Sequence, residues 1–155
     1  MPETSAGHTI RKNFFEYGQR MKVPVHFQRI ETGAIASGVP DANVCFDGKE
    51  LWLEGKHIKE LPVRDTTLVR FSTTKNDARL IHQGNWLKKR QDCGGRCAVW
   101  IRLDSIDGNE MGAWFLLEKE FRYLSLGMPK SQFLQLPRFA TGKALVRHLI
   151  DVTLL

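Results

Sequence analysis

Cysteine is scarce in this 155-residue chain, and three cysteines cannot all pair with one another. Cys93 and Cys97 bracket a turn in "CGGRC", and a zinc site there would have to borrow His82 or His57 at no recognisable spacing. Reduced structural thiols are the expectation, and a disulfide scaffold is excluded. Long hydrophobic runs are missing too, so no segment reads as a membrane span. The first residues, "MPETSAGHTIRKNFFEYGQRMK", lack the apolar centre of a signal peptide, and a cytoplasmic location is expected. Repeats, low-complexity tracts and linkers are absent. Acidic charge is in deficit: Lys+Arg number 23 against Asp+Glu 17, a formal charge of +6. That balance favours an anionic partner, of which nucleic acid is the commonest. What is present is enough apolar material, 42% of residues, for one folded core and against disorder. One domain over 1–155 is expected.

The pattern predicts the order α-β-β-β-α-β-β-α. A first helix spans about 10–21, anchored by Phe14 and Phe15 and weakened by Gly18. "VPVHFQRI" is a strand and "ETGAIASG" a loop. A hairpin follows, turning at Asp47-Gly48, because a type I′ turn needs positive φ at both central positions. A helix over about 76–93 comes next, with Asn76 or Thr74 as its cap and Gly94-Gly95 as its stop. "RCAVWIRLD" and "GAWFLLEKE" are strands. The tail "TGKALVRHLIDVTLL" is an amphipathic helix. This order predicts an α/β (α+β) fold, a central mixed sheet flanked by helices.

The hairpin, "GVPDANVCFDGKELWLEGKHIK" over 38–59, fixes its own register once Asp47 and Gly48 occupy the turn. Phe46 then pairs with Lys49, Val44 with Leu51, Ala42 with Leu53 and Asp41 with Glu54. Directly opposed residues share a face. One face is apolar: Ala42, Val44, Phe46, Leu51 and Leu53. The other holds Asp41, Asn43, Cys45, Glu50, Trp52, Glu54 and Lys56. Two carboxylates opposite one another repel, so something must compensate. A bridging divalent cation is one solution, since magnesium is typically held by one or two carboxylates with waters and phosphates. An edge hairpin with a solvated charged face, and Lys56 as counterion to Glu54, is the other.

Pro40-Asp41, twelve residues, then Glu54-Gly55-Lys56 resembles the signature of the PD-(D/E)XK nuclease superfamily. The resemblance runs from about Phe14 to Arg102. The small phage and viral members are most similar, and Holliday-junction resolvases and VRR-type nucleases are the nearest groups. Shared features are the "G-x-PD" opening and a later helix carrying Gln83 and Trp86. What the resemblance implies is a restriction-endonuclease-like core and a metal-dependent DNA endonuclease. Asp41 and Glu54 would bind magnesium, for which manganese would substitute, and the Gly55 carbonyl would assist. Lys56 would act on the attacking water, and Gln83 would face the site. Glu16 in the first helix would add a carboxylate, with Glu31 as the other candidate; an exposed helix residue accounts for Glu16 equally well. The middle position of the signature is usually apolar, and glycine there is expected to leave a gap on the core face.

Lys88, Lys89 and Arg90, with Arg96 just beyond, are candidates for phosphate neutralisation. Cations at a helix C-terminus also suit the helix dipole without any ligand. Trp86 is expected in packing more than in base stacking, and His57 in a structural role. "FSTTKND", at a helix start, fits either a phosphate site or an ordinary cap. The preferred substrate is branched or structured DNA, handled by a homodimer with its interface in the apolar C-terminal segment. The alternatives are a general duplex or single-strand endonuclease, and a non-catalytic nucleic-acid-binding or virion structural protein of the same fold.

Overall fold

A computed structural model describes residues 4–30, 38–72 and 77–154. Glu31, Thr74 and Asn76 lie outside them. The elements are α1 (Ser5–Met21), β1 (Val25–Arg29), β2 (Ala42–Phe46), β3 (Lys49–Glu60), β4 (Leu68–Val69), α2 (Ala78–Asp92), β5 (Cys97–Ser105), β6 (Ala113–Leu117), α3 (Tyr123–Leu126), β7 (Met128–Pro129), α4 (Lys130–Phe133), β8 (Arg138–Phe139) and α5 (Gly142–His148). A π-helical turn, Leu149–Leu154, continues α5. Six strands form one mixed sheet in the order β1-β2-β3-β5-β6-β8, and β4 pairs with β7 in a small second sheet. β3 and β5 run parallel and their neighbours pair antiparallel. A parallel pair needs a crossover, and α2 supplies it. The fold is therefore α/β, with helices on both faces of a mixed sheet.

Each face has its own core. Against the first, α1 and α5 bury Ile10, Phe14, Leu145 and Val146 on Val44, Phe46, Leu51 and Leu53. Against the second, Leu80 and Leu87 of α2 pack with Val99, Ile101, Leu103, Phe115 and Phe133. Each large apolar side chain so buried contributes roughly 1.5–3 kcal/mol.

α1 begins five residues before the sequence-based boundary. Thr4 caps it, its hydroxyl accepting from the Gly7 N–H at 3.0 Å, and Ala6 extends the buried stripe. Gly18 leaves room for β1: a Cβ there would sit 2.4 Å from Val25 Cγ2. The cap of α2 is Asp77, whose carboxylate accepts from the Arg79 N–H at 3.0 Å. The short elements between β6 and α5 went unpredicted, being too brief to carry a periodic pattern. The tail also differs from expectation. Leu149, Ile150 and Leu154 are buried in this chain's own first core, leaving Val152 exposed, so most of the stripe offered to a partner is already used. No helix among the described residues is long and apolar enough to cross a membrane.

Candidate active site on the hairpin and the crossover helix

The hairpin adopts the predicted register, with Phe46 opposite Lys49, Val44 opposite Leu51 and Ala42 opposite Leu53. It lies inside the sheet, not at the edge: β1 flanks β2, and β5 flanks β3. β2 begins at Ala42, so the backbone ladder stops where Asp41 and Glu54 meet. Side chains take over there. Glu54 Oε2 accepts the Asp41 N–H at 3.2 Å, and Asp41 Oδ2 accepts the Gly55 N–H at 3.0 Å. Each carboxylate is thus anchored to the other's strand, which offsets part of their repulsion.

The two differ in surroundings. Asp41 is exposed, whereas Glu54 is 2% exposed. Burial raises the Glu54 carboxyl from 4.5 to about 8, Lys56 working against the shift and the charge of Asp41 adding to it. Lys56 Nζ lies 3.4 Å from Glu54 Oε1 and 2.7 Å from Gln83 Oε1. An ammonium has no acceptor, so the Gln83 atom facing it is the carbonyl oxygen and the amide NH₂ points elsewhere. Gln83 is delivered by α2. The "G-x-PD" segment helps to seat that helix: Gly38 has φ +89, and a Cβ there would fall 2.5 Å from the His82 carbonyl oxygen. Only glycine meets both demands.

Gly55 leaves no gap. A Cβ at this position would lie 2.0 Å from Trp100 Cζ2, so the indole of the paired β5 residue occupies the space. The glycine and Trp100 are complementary.

Other candidates fall elsewhere. Glu16 pairs with Lys12 at 3.8 Å. Its neighbour Gly18 packs on Val25 at the start of β1, while Asp41 O accepts from Ile30 just past the strand's far end. The structure therefore does not bring Glu16 to the carboxylate pair. Lys88 is held by Asp92 at 2.6 Å, while Lys89 and Arg96 are exposed. His57 meets Asp104 at 2.7 Å, on the sheet face opposite Lys56. Gln83, Trp86 and Arg90 occupy one stripe of α2, which runs back along β3. Trp86 stands 5.0 Å from Trp52, and the Arg90 guanidinium lies over both rings, 5.2 Å from Trp52 and 5.6 Å from Trp86. Trp52 was missed as a site neighbour, although its place on the polar face two residues before Glu54 was a usable signal.

Asp41 and Glu54 present only oxygen donors, the type that suits a hard divalent cation. Among the described residues no group of three or more His, Cys, Asp or Glu side chains could hold a metal. A cation at this pair would therefore complete its shell with waters or substrate oxygens.

No family model and no curated protein matches the chain. Among solved structures it is similar to a Holliday junction resolvase, Hjc, from the archaeal hyperthermophile Archaeoglobus fulgidus. The two share 13% identity with a TM-score of 0.48, over 90% of this chain and 99% of that one.

Proposed function

We propose that this protein is a metal-dependent DNA endonuclease, hydrolysing phosphodiester bonds with a preference for branched or structured DNA. One observation carries the reading: a buried glutamate, an opposed aspartate and a lysine share one hairpin face, and a helix glutamine engages the lysine. Carboxylates whose proton affinity is raised toward the neutral range cluster at functional sites, and burial puts Glu54 among them. The donor set fits magnesium, held by Asp41, Glu54 and the Gly55 carbonyl, with manganese as a substitute. When bound, the cation would supply positive charge at the scissile phosphate and acidify the attacking water.

The chain's own residues do the rest. Glu54 and Gln83 hold Lys56, so its ammonium is placed before substrate arrives and costs little to reorganise. Lys89 and Arg96, both exposed, would pair with the phosphate backbone. A symmetric four-way junction needs two cuts, which a homodimer would provide.

The test is cleavage of supercoiled plasmid and of a synthetic four-way junction, with and without magnesium, for the wild type and Glu54→Gln. Junction cleavage that needs both the metal and Glu54 supports the whole proposal. Plasmid nicking without junction preference makes the enzyme a general endonuclease. Tight DNA binding with no cleavage under any metal makes it a binding protein.

A further inference from the structure

Along β3 on the site face, Trp52 precedes Glu54 by two residues, roughly 7 Å at strand spacing. It is opposed on β2 by Asn43. Trp86 and Arg90 complete the group, the guanidinium lying over both indoles. Two polar atoms in it are unsatisfied: Trp52 Nε1 and Asn43 Nδ2 are shielded from solvent and have no acceptor among the described residues. Buried donors are nearly always paired, and leaving one unpaired is costly. Two on directly opposed residues, beside a candidate phosphodiester site, point to a ligand rich in acceptors.

The acceptor has a chemical profile. Phosphate alone could pair with Arg90 but would have no use for two indoles. A nucleobase has a flat π-face for the rings and guanidinium, and carbonyl or ring-nitrogen acceptors for the two donors. Arg90 is exposed, so it can lift from the rings to admit a base and then close over it. A base inside a duplex cannot present its face this way.

We infer that Trp52, Trp86, Arg90 and Asn43 form a subsite for an unpaired nucleobase, on the hairpin-turn side of the carboxylate pair. This rests on the nuclease reading and sharpens it: the substrate carries an unstacked nucleotide next to the bond that is cut. Specificity for branched DNA then comes from the unpaired base at a branch or fray, not from the metal site.

The test uses the full chain in EDTA with a labelled ten-nucleotide oligo(dT) and a duplex of the same length. Trp100 and Trp114 are buried against the other face and give a constant background to tryptophan fluorescence. The wild type is expected to bind the single strand with quenching. Arg90→Ala and Trp86→Leu should each weaken that binding roughly tenfold, with duplex binding changed far less. Arg90→Lys keeps the charge and loses the flat cation, so it should behave like Arg90→Ala. Folding is checked by the thermal shift with magnesium, which depends on Asp41 and Glu54 and should persist in every subsite variant.

If Arg90→Ala and Arg90→Lys bind and cut as the wild type does, the subsite is overturned and the nuclease reading stands. Equal losses on single strand and duplex would overturn it as well, leaving Arg90 a phosphate contact. If the wild type binds neither DNA nor magnesium, the nuclease reading itself fails and takes the subsite with it.

Discussion

Lys56 Nζ lies 2.7 Å from Gln83 Oε1, tying the last residue of the hairpin motif to the crossover helix. If the lysine acts on charge that develops during hydrolysis, its loss should affect turnover and not ground-state binding. Lys56→Met is expected to lower single-turnover cleavage by roughly a hundredfold at every magnesium concentration. DNA affinity in EDTA should stay near the wild-type value. Gln83→Ala, which frees the ammonium without removing it, should cost about tenfold. Recovery of Lys56→Met at saturating magnesium would reduce the lysine to a counterion.

Glu54 makes the metal-free protein pH-sensitive. Its folded pKa of about 8 lies above the ordinary 4.5, so the native state binds the proton more tightly than the unfolded chain. The associated stability is fully present below 4.5 and is lost as pH rises through 8. Urea denaturation in EDTA should show stability falling across that window, at up to about 1.4 kcal/mol per pH unit. Glu54→Gln should flatten the profile. A wild-type profile that is flat, or that rises, would contradict the buried protonated glutamate.

A cation held at the proposed site would have to displace that proton. Magnesium binding at pH 7 should release it, which titration calorimetry reads as a heat that varies with the ionisation enthalpy of the buffer. Asp41→Ala and Glu54→Ala should each abolish the binding heat and the magnesium-induced rise in Tm. Binding that survives in both would place the metal elsewhere.

Gly55 and Trp100 should behave as a coupled pair. Gly55→Ala puts a methyl where the indole stands, and overpacking of this kind costs about 1–3 kcal/mol. Adding Trp100→Leu should recover part of that loss, so the double mutant is more stable than the two single effects sum to. Additive effects would mean that the strand shifts and that the indole does not set the residue at 55.

Much of the site was legible because the turn is local. Asp47-Gly48 fixes the register, and one step past its last pair, Ala42 with Leu53, Asp41 meets Glu54. The α/β class followed from strands separated by a helical stretch. The burial of Glu54 was not legible, since it depends on a crossover helix closing over that face and on β5 flanking β3. Glu16 could not be judged from the sequence either. Its distance from Asp41 depends on where α1 crosses β1, which Gly18 and Val25 decide. Gly55 read as a defect for the same reason: its partner Trp100 lies 45 positions along the chain, in a parallel pairing that no turn announces.

The pairing pattern also implies an order of events in folding. The β2–β3 hairpin closes over a two-residue turn, whereas β3 meets β5 only after the crossover is threaded, and short-range contacts form sooner. Asp41 and Glu54 are expected to come together while both are still hydrated. Glu54 loses its water in the later step, when β5 and α2 dock. Proton uptake should then accompany that docking, and the barrier should carry little of the equilibrium pH dependence if it precedes it. Folding and unfolding arms compared at pH 6 and pH 8 would locate it: a pH effect confined to unfolding places the dehydration of Glu54 after the transition state.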